Sequence, residues 1–431
     1  MVKYTGRILE VDFCRGIGAA AGVFLCLACG HVAAREADIQ ETGLPAGVWL
    51  ESRTAVEQRP FGNPLLGDGL LAPAYFEAKD RLWIEEGLSV GGYLSANPQW
   101  GSRGGPSHQI GEFLLTAEWE LLRTASTSGR IVFGLAHDQT SGPPTTRVFA
   151  DKQGLVETPN DLDTDPDLTF TTLGLLLWEQ EFRLGQGGVL GYRVGQIFAP
   201  AYFGLTHYLD DDRRYFLARP LAAPGGAQWV GANDIGLGGN VFSRRGEWYI
   251  SAAVIDGKAN RQYPDFGSLA DGQFLYTGEF GYERDPGGDR ELAVRVTASH
   301  LDVADGEAPQ KGPGGSVMLS AMMRLGPAWG IAGRWSRSFR RLSSDYRQLV
   351  SVGLVRHEPM GRQNDFMAVG AFVGDPSDPS RATESGVELA YRIQLTQAVN
   401  LMPDLQFWTG RDASGKRSRA WIAGVRLNFE Y

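Results

Sequence analysis

The hydropathy pattern of this chain encodes an all-β protein, a transmembrane antiparallel β-barrel of about sixteen strands with short periplasmic turns and long extracellular loops. Segments of about ten residues alternate apolar and polar side chains, the length a tilted strand needs to cross a hydrocarbon layer. The connections between them alternate between tight turns and long excursions. An export leader precedes them all.

The leader is read from Lys3, Arg7 and Arg15, the apolar run Gly16 to Cys29 and the small residues Val32-Ala33-Ala34, so residues 1–34 are expected to be a signal peptide. The three cysteines, Cys14, Cys26 and Cys29, all lie inside it, which leaves the exported chain without thiols. Leu27-Ala28-Cys29-Gly30 faintly matches a lipoprotein box, with Cys26 where an aliphatic is usual, and lipidation of Cys29 stays an alternative. Residues 35–69 are Pro- and Gly-rich without periodicity, and residues 35–87 are expected to form a short N-terminal periplasmic arm with a short helix over 72–86. Residues 88–431 are the expected barrel.

Strands are expected over 88–95, 111–123, 128–137, 169–180, 188–197, 232–243, 247–256 and 273–283, then 290–300, 314–325, 328–339, 346–357, 363–374, 384–396, 399–409 and 419–431. The last of these turns Val425, Leu427 and Phe429 to one face and Arg426, Asn428 and Glu430 to the other. A chain stopping on such a strand, after a leader, fits an outer-membrane barrel better than a soluble sandwich. Even-numbered connections are short, as at Thr124 to Gly129, Arg244 to Gly246, Arg284 to Asp289, Gly326-Pro327 and Gln397-Ala398. Odd-numbered ones are long, as at 138–168 and 198–231.

Face assignment points the same way. In 273–283, Phe274, Tyr276, Gly278, Phe280 and Tyr282 are expected outward and Gln273, Thr277, Glu279 and Glu283 inward. In 328–339, Trp329, Ile331 and Trp335 alternate with Arg334, Ser336 and Ser338. A guanidinium in a dry core costs several kcal/mol unless paired, which favours a watered interior.

Composition limits the functions available. The net charge is −9, and removing three basic and two acidic leader residues makes it −10, which argues against nucleic acid as a partner. No run of about 18 apolar residues follows the leader, so no helical span is expected. Glycine is abundant at 57 residues, aromatics make up 11%, and the mean hydropathy is −0.21, a mixture suited to a greasy belt around a wet lumen.

Two stretches resemble the carbohydrate-selective porin family of OprB type. One is Glu384-Ser-Gly-Val-Glu-Leu-Ala-Tyr-Arg-Ile-Gln-Leu-Thr-Gln with Asn400-Leu-Met-Pro-Asp-Leu-Gln406, similar to the family's penultimate hairpin. The other is Tyr192-Arg-Val-Gly-Gln, Ala201-Tyr-Phe203 and the Arg219-Pro to Trp229 region, similar to the strand and inserted loop near its pore mouth. Weaker likeness runs through Gly111 to His137. The resemblance implies sixteen strands in the outer membrane of a Gram-negative bacterium and diffusion of mono- or oligosaccharides. The chain departs from it in ending on Tyr431 rather than Phe and in a longer, Pro-rich N-terminal segment, which leaves the preferred sugar open.

Candidate pore-lining and substrate residues follow from the inward set. They are Glu112, Glu118 and Glu120 on one strand, Glu279, Glu384, Glu388, Arg392 and Gln394, and Arg193, Arg295, Arg324, Arg334 and Arg426 on others. Such groups can bind sugar hydroxyls by charge-assisted hydrogen bonds; equally, a Glu to Arg ladder can stiffen the wall. Loop 198–231 adds Tyr202, Phe203 and Trp229, whose rings either stack on sugars in a constriction or anchor the loop to the wall. Asp161, Asp163 and Asp165 are spaced like the start of a calcium loop but lack its sixth-position Gly and distant Glu, so a solvated acidic loop is the plainer reading.

The six histidines show no metal-ligand spacing, and no nucleophile elbow, phosphate loop or dinucleotide fingerprint occurs. No catalytic residues, metal or cofactor are therefore expected. Expected partners are outer-membrane lipid, small carbohydrates and the barrel-assembly machinery, engaged through the last strand, with the barrel a monomer or homotrimer. A non-selective general porin, an outer-membrane hydrolase and a plugged adhesive barrel are the alternatives.

Overall fold

The computed structural model describes residues 62–69, 73–104, 107–141, 144–162, 169–185, 187–210, 214–223, 235–259, 262–302, 313–340, 345–411 and 416–430. The expected signal peptide, and Trp229, Asp163, Asp165 and Tyr431, lie outside them. Sixteen strands close into one antiparallel barrel, each pairing with its sequence neighbours and β1 with β16.

They are β1 Leu88–Gly101, β2 His108–Arg123, β3 Thr127–Thr140, β4 Thr169–Leu184, β5 Gly188–Phe198, β6 Ile235–Arg245, β7 Trp248–Asp256 and β8 Phe274–Arg284. The circuit continues with β9 Leu292–Leu301, β10 Gly314–Leu325, β11 Trp329–Arg340, β12 Tyr346–His357, β13 Phe366–Pro376, β14 Glu384–Gln394, β15 Val399–Arg411 and β16 Arg417–Glu430. Each expected segment falls on one of them. The largest boundary difference is β1, which runs six residues past the expected end at 95 because Pro98 does not break it. Pro98 pairs with Gln109 on β2, while the register with β16 passes from Ala96 opposite Leu427 to Gln99 opposite Gly424. A residue without an N–H is tolerated where one ladder skips it.

Closure removes every sheet edge, so backbone groups are paired without help from solvent. The wall is inside out relative to a soluble sandwich. On the outer face Leu94, Val241, Ile250, Phe280, Val387, Leu389 and Trp421 are about half exposed, ready to be solvated by lipid chains. On the inner face Glu388, Arg295, Arg392 and Arg426 are buried. The face assignment of β8 and β11 holds at each named residue within the strands; Gln273, expected inward, precedes β8 and is half-buried.

At one end the strands join through tight turns. Gly246 and Gly326, with φ of 61° and 68°, supply the left-handed backbone that β6–β7 and β10–β11 require there. This end also receives the N-terminal segment: Leu65 N and Leu66 N donate to Gln394 O (3.0 Å) and Leu395 O (2.7 Å). Helix α1, Pro73–Arg81, with one π turn Leu82–Glu86 capped by Gly87 at φ 68°, then leads into β1, close to the helix expected over 72–86.

At the other end the connections are long, and two enter the barrel. Loop 3, between β3 and β4, carries α2, Thr146–Gln153, whose N-cap Thr145 accepts from Val148 N. Loop 5, between β5 and β6, carries a 3-10 turn Ala199–Ala201 and the short helix α3, Arg219–Ala222.

Candidate functional site

Loop 5 runs along the inner wall, and the inward charges hold it. Gly204 N donates to Glu279 (2.6 Å), which also accepts from Tyr249 OH and Thr297 Oγ1 (both 2.6 Å). Arg295 donates to Leu205 O (2.6 Å) and to Tyr249 OH (2.9 Å) and pairs with Glu283. Arg334 pairs with Asp210 and reaches Pro220 O and Leu221 O (3.4 Å each). Ser351 Oγ donates to Pro220 O (2.6 Å), and both oxygens of Glu388 accept from Leu217 N (2.7 Å) and Ala218 N (2.9 Å). These contacts span β8 to β14. Each satisfies a backbone or charged group that burial would otherwise penalise by about 1–3 kcal/mol.

The aromatics of the loop fill the same wall. Tyr202, Phe203, Tyr208, Tyr215 and Phe216 are all buried. Tyr202 lies 4.1 Å from the Arg193 guanidinium, which Phe242 meets from the β6 side at 4.2 Å. Arg193 also pairs with Glu179 and donates to Asn240 Oδ1 (2.8 Å). Lower down, inward glycines make a trough for the loop. A Cβ on Gly330 would sit 2.5 Å from the Tyr208 ring, on Gly353 2.9 Å from Phe216, and on Gly370 2.6 Å from Leu221. Nothing larger than hydrogen fits there without moving the loop. Tyr208 OH reaches Glu291 (3.4 Å) in the β8–β9 turn, and His207 Nε2 lies 3.3 Å from the same carboxylate, so loop 5 descends to the short-turn end. Burial raises Glu291, but the His207 contact and the Gly287 N–H outweigh it and hold this carboxyl below its usual range.

Loop 3 covers the remaining arc. Its Pro159 O accepts from Gln406 Nε2 (2.8 Å) and Gln99 Nε2 (3.0 Å), and Glu384 accepts from Val156 N (2.9 Å) and Glu157 N (3.4 Å) while Tyr346 OH also donates to it. Arg426 reaches Asn160 Oδ1 at 3.5 Å. The two loops join each other through Asp161 N to Leu217 O (2.8 Å) and Arg219 N to Thr158 O (3.2 Å). Burial and the nearby charge of Asp345 push the Glu157 carboxyl well above its ordinary range, against the pull of Arg219 and Arg147.

Several remaining candidates make their contacts within the wall and its turns. Glu112 accepts from Tyr93 OH, Glu118 pairs with Arg130 (3.2 Å), and Glu120 pairs with Arg123 (2.7 Å). Arg324 lies at the β10–β11 turn, donating to Pro327 O (3.1 Å) and Gly287 O (3.3 Å). Gln394 lies at the β14–β15 turn, where its Nε2 donates to Thr396 O (2.6 Å). Glu388 holds loop 5, while Arg392 pairs with Glu430 (2.9 Å) and lies over Phe366. Asp161 is taken up by loop 5, with Arg219 Nε 3.9 Å from its carboxylate. Among the described residues no cluster of His, Cys, Asp and Glu could hold a metal ion.

Sequence reasoning missed Asp210, Gln99, Gln406, Ser351 and the glycine trough. Gln99 and Gln406 were within reach of the alternation, as inward amides on β1 and β15. Asp210 was not, because only the folded loop brings it to Arg334.

Comparison with known proteins places the barrel. Its fold is similar to that of Pseudomonas putida OprB, with a TM-score of 0.67 at 11% identity over 83% of this chain and 96% of that one. More distant likeness extends to Salmonella typhi OmpF in complex with daunomycin (TM-score 0.49, 9% identity, 80% and 97% covered) and to a Rhodopseudomonas blastica porin triple mutant (0.44, 12%, 80% and 100%). No curated protein matches. The model of the carbohydrate-selective porin OprB family matches residues 84–431, the whole barrel, and the chain belongs to that family of outer-membrane β-barrel proteins.

Proposed function

We propose that the protein is an outer-membrane porin through which small carbohydrates and other small polar solutes diffuse passively, with loops 3 and 5 setting the width of the path. The observation that carries this is the closed wall with a lipid-compatible outer face and a charged inner face whose charges hold loops across the lumen. Membership of a carbohydrate-selective porin family supports the solute class.

In this reading Glu279, Arg295, Arg334 and Glu388 act on the solute through the loop they position. Groups outside that framework, such as the partly exposed Arg130 and Arg219, meet the solute directly. The rings of Tyr202 and Phe203 anchor the loop. Binding is weak enough for release, and transport runs down the solute gradient without a cofactor. Residues 1–34 act as the export signal, 35–87 as a periplasmic arm, and β16 as the strand offered to the barrel-assembly machinery.

A liposome-swelling series with neutral sugars of increasing size, beside charged solutes of matched size, tests the reading. Swelling that falls steeply with sugar size supports it. No swelling with any sugar, or turnover of esters or glycosides by the same preparation, would replace it with the plugged-barrel or hydrolase alternative.

A further inference from the structure

On the inner wall of β15, β16 and β1, beneath the tip of loop 3, lies a polar patch that the loop does not satisfy. Gln99, opposite Gly424, faces Asp404 across β16. Gly424 keeps that space open, since a Cβ there would lie 2.0 Å from Asp404 Oδ1 and 3.3 Å from the Gln99 side chain. One inward layer lower is Asn97, and below it Ser95, whose strand neighbours are Asn428 on one side and Glu112 on the other.

Loop 3 takes one donor from each of Gln99 and Gln406 through the Pro159 carbonyl. Behind that contact several polar atoms are buried without a hydrogen-bond partner: both amide atoms of Asn97, Ser95 Oγ, Gln99 Oε1, Asp404 Oδ1 and, from the loop itself, Asn160 Nδ2. Asn97 is 0% exposed and Ser95 3%. Leaving such groups unmatched costs about 1–3 kcal/mol each, and a wall evolved only to seat the loop would carry apolar residues there.

The mixture of groups defines the ligand. A metal cation would want acceptors alone and an anion donors alone. Here acceptors (Asn97 Oδ1, Gln99 Oε1, Asp404 Oδ1) and donors (Asn97 Nδ2, Asn160 Nδ2) alternate with a hydroxyl, Ser95, that serves as either. Neighbouring hydroxyls on one small neutral molecule both donate and accept, and so match such a mixture.

Resting on the porin reading above, we propose that Ser95, Asn97, Gln99 and Asp404 form a subsite for a small neutral polyhydroxylated solute. The tip of loop 3 covers this subsite, and a solute hydroxyl displaces the Pro159 carbonyl from it. The subsite makes the loop a cover that the transported molecule itself lifts. Saturation of flux then arises at β1 and β15, away from the arc occupied by loop 5.

The test uses the full-length protein in planar bilayers, titrating glucose and reading the block of ionic current. A polyethylene glycol of similar size serves as the control. Ser95→Ala with Asn97→Leu removes three of the unmatched atoms while keeping volume, so unfolding in detergent is expected at the same or a higher temperature. The half-saturating glucose concentration is expected to rise by about fivefold or more, with the response to the glycol unchanged. An unchanged glucose titration overturns the subsite, because the patch is then structural only. Absence of glucose flux in the wild-type protein would instead overturn the porin reading.

A second measurement addresses the cover. The described residues contain no cysteine, so Asn97→Cys gives a unique thiol in that region. Its modification by a small methanethiosulfonate reagent is expected to be slow and to accelerate when Gln406→Ala removes one of the two donors to Pro159. Equal rates in the two backgrounds overturn the claim that loop 3 covers the patch.

Discussion

Loop 5 and loop 3 both leave the long-loop end and fold into the barrel, yet the wall grips them differently. Loop 5 is clamped by groups from β8 to β14, with a buried ion pair between Arg334 and Asp210 near its middle and five buried rings, two of which, Tyr208 and Phe216, pack on inward glycines. Loop 3 is gripped at its helix by Arg103 to Gln153 O (3.1 Å), Arg381 to Leu155 O (2.7 Å) and the buried Phe149 and Leu155, but its tip meets the wall through two neutral amides at Pro159, the Glu384 carboxylate and the long Arg426 contact, with polar groups left unmatched beneath it. Charge and apolar packing together fix a segment; amides that also serve other partners hold one that can be exchanged. In the proposed constriction loop 5 is therefore the static part and the tip of loop 3 the adjustable part.

Cutting the strongest clamp is the most direct way to break this contrast. Arg334→Ala leaves the Asp210 carboxyl buried without its partner, a loss of about 3 kcal/mol in the seating of loop 5. Single-channel conductance is expected to rise and become noisy; a quiet channel of wild-type size would remove the loop from the constriction. Glu388→Ala strips the acceptor from two buried amides, roughly 2–3 kcal/mol, and loosens loop 3 as well because Leu217 O receives Asp161 N. Faster proteolysis in both loops is the expected readout, and cleavage confined to loop 5 would show that the loops are not coupled.

A smaller effect sharpens the comparison through pH. Glu157 in loop 3 has its folded pKa raised by burial and by Asp345, so its proton is held by the seated loop. The seating it favours is fully present below the unfolded carboxylate value and is lost as pH rises through the raised folded value. Conductance of the wild type is expected to rise towards alkaline pH, and Glu157→Gln is expected to flatten that rise. An unaltered pH profile in the variant would assign the dependence elsewhere. Smallest is Gln406→Ala, about 1 kcal/mol, since Gln99 still donates to Pro159. Its expected signature is a modest gain in loop 3 proteolysis with none in loop 5.

The same contrast separates what the sequence announces from what it withholds. Strand positions and faces are written in local alternation, and each expected segment from 88 onward lies on a strand. Arg334, Glu279 and Glu388 are inward for the same local reason. Their roles are not local. Arg334 meets Asp210 at a separation of 124 residues, and Glu388 meets Leu217 at 171, so nothing in either neighbourhood specifies the pairing. Alternation places Glu388 and Arg392 on one face of β14, but it does not reveal that backbone N–H groups of an inserted loop are partners for Glu388. Gly330, Gly353 and Gly370 read as generic strand glycines until Tyr208, Leu209, Phe216 and Leu221 are seen lying on them.

Whether loop 5 rather than the bare wall limits the path is tested by deleting residues 205–226 and recording single-channel conductance, after heat-modifiability confirms a folded barrel. A conductance several times that of the intact protein is expected, with larger sugars newly admitted. An unchanged conductance and size limit would contradict it.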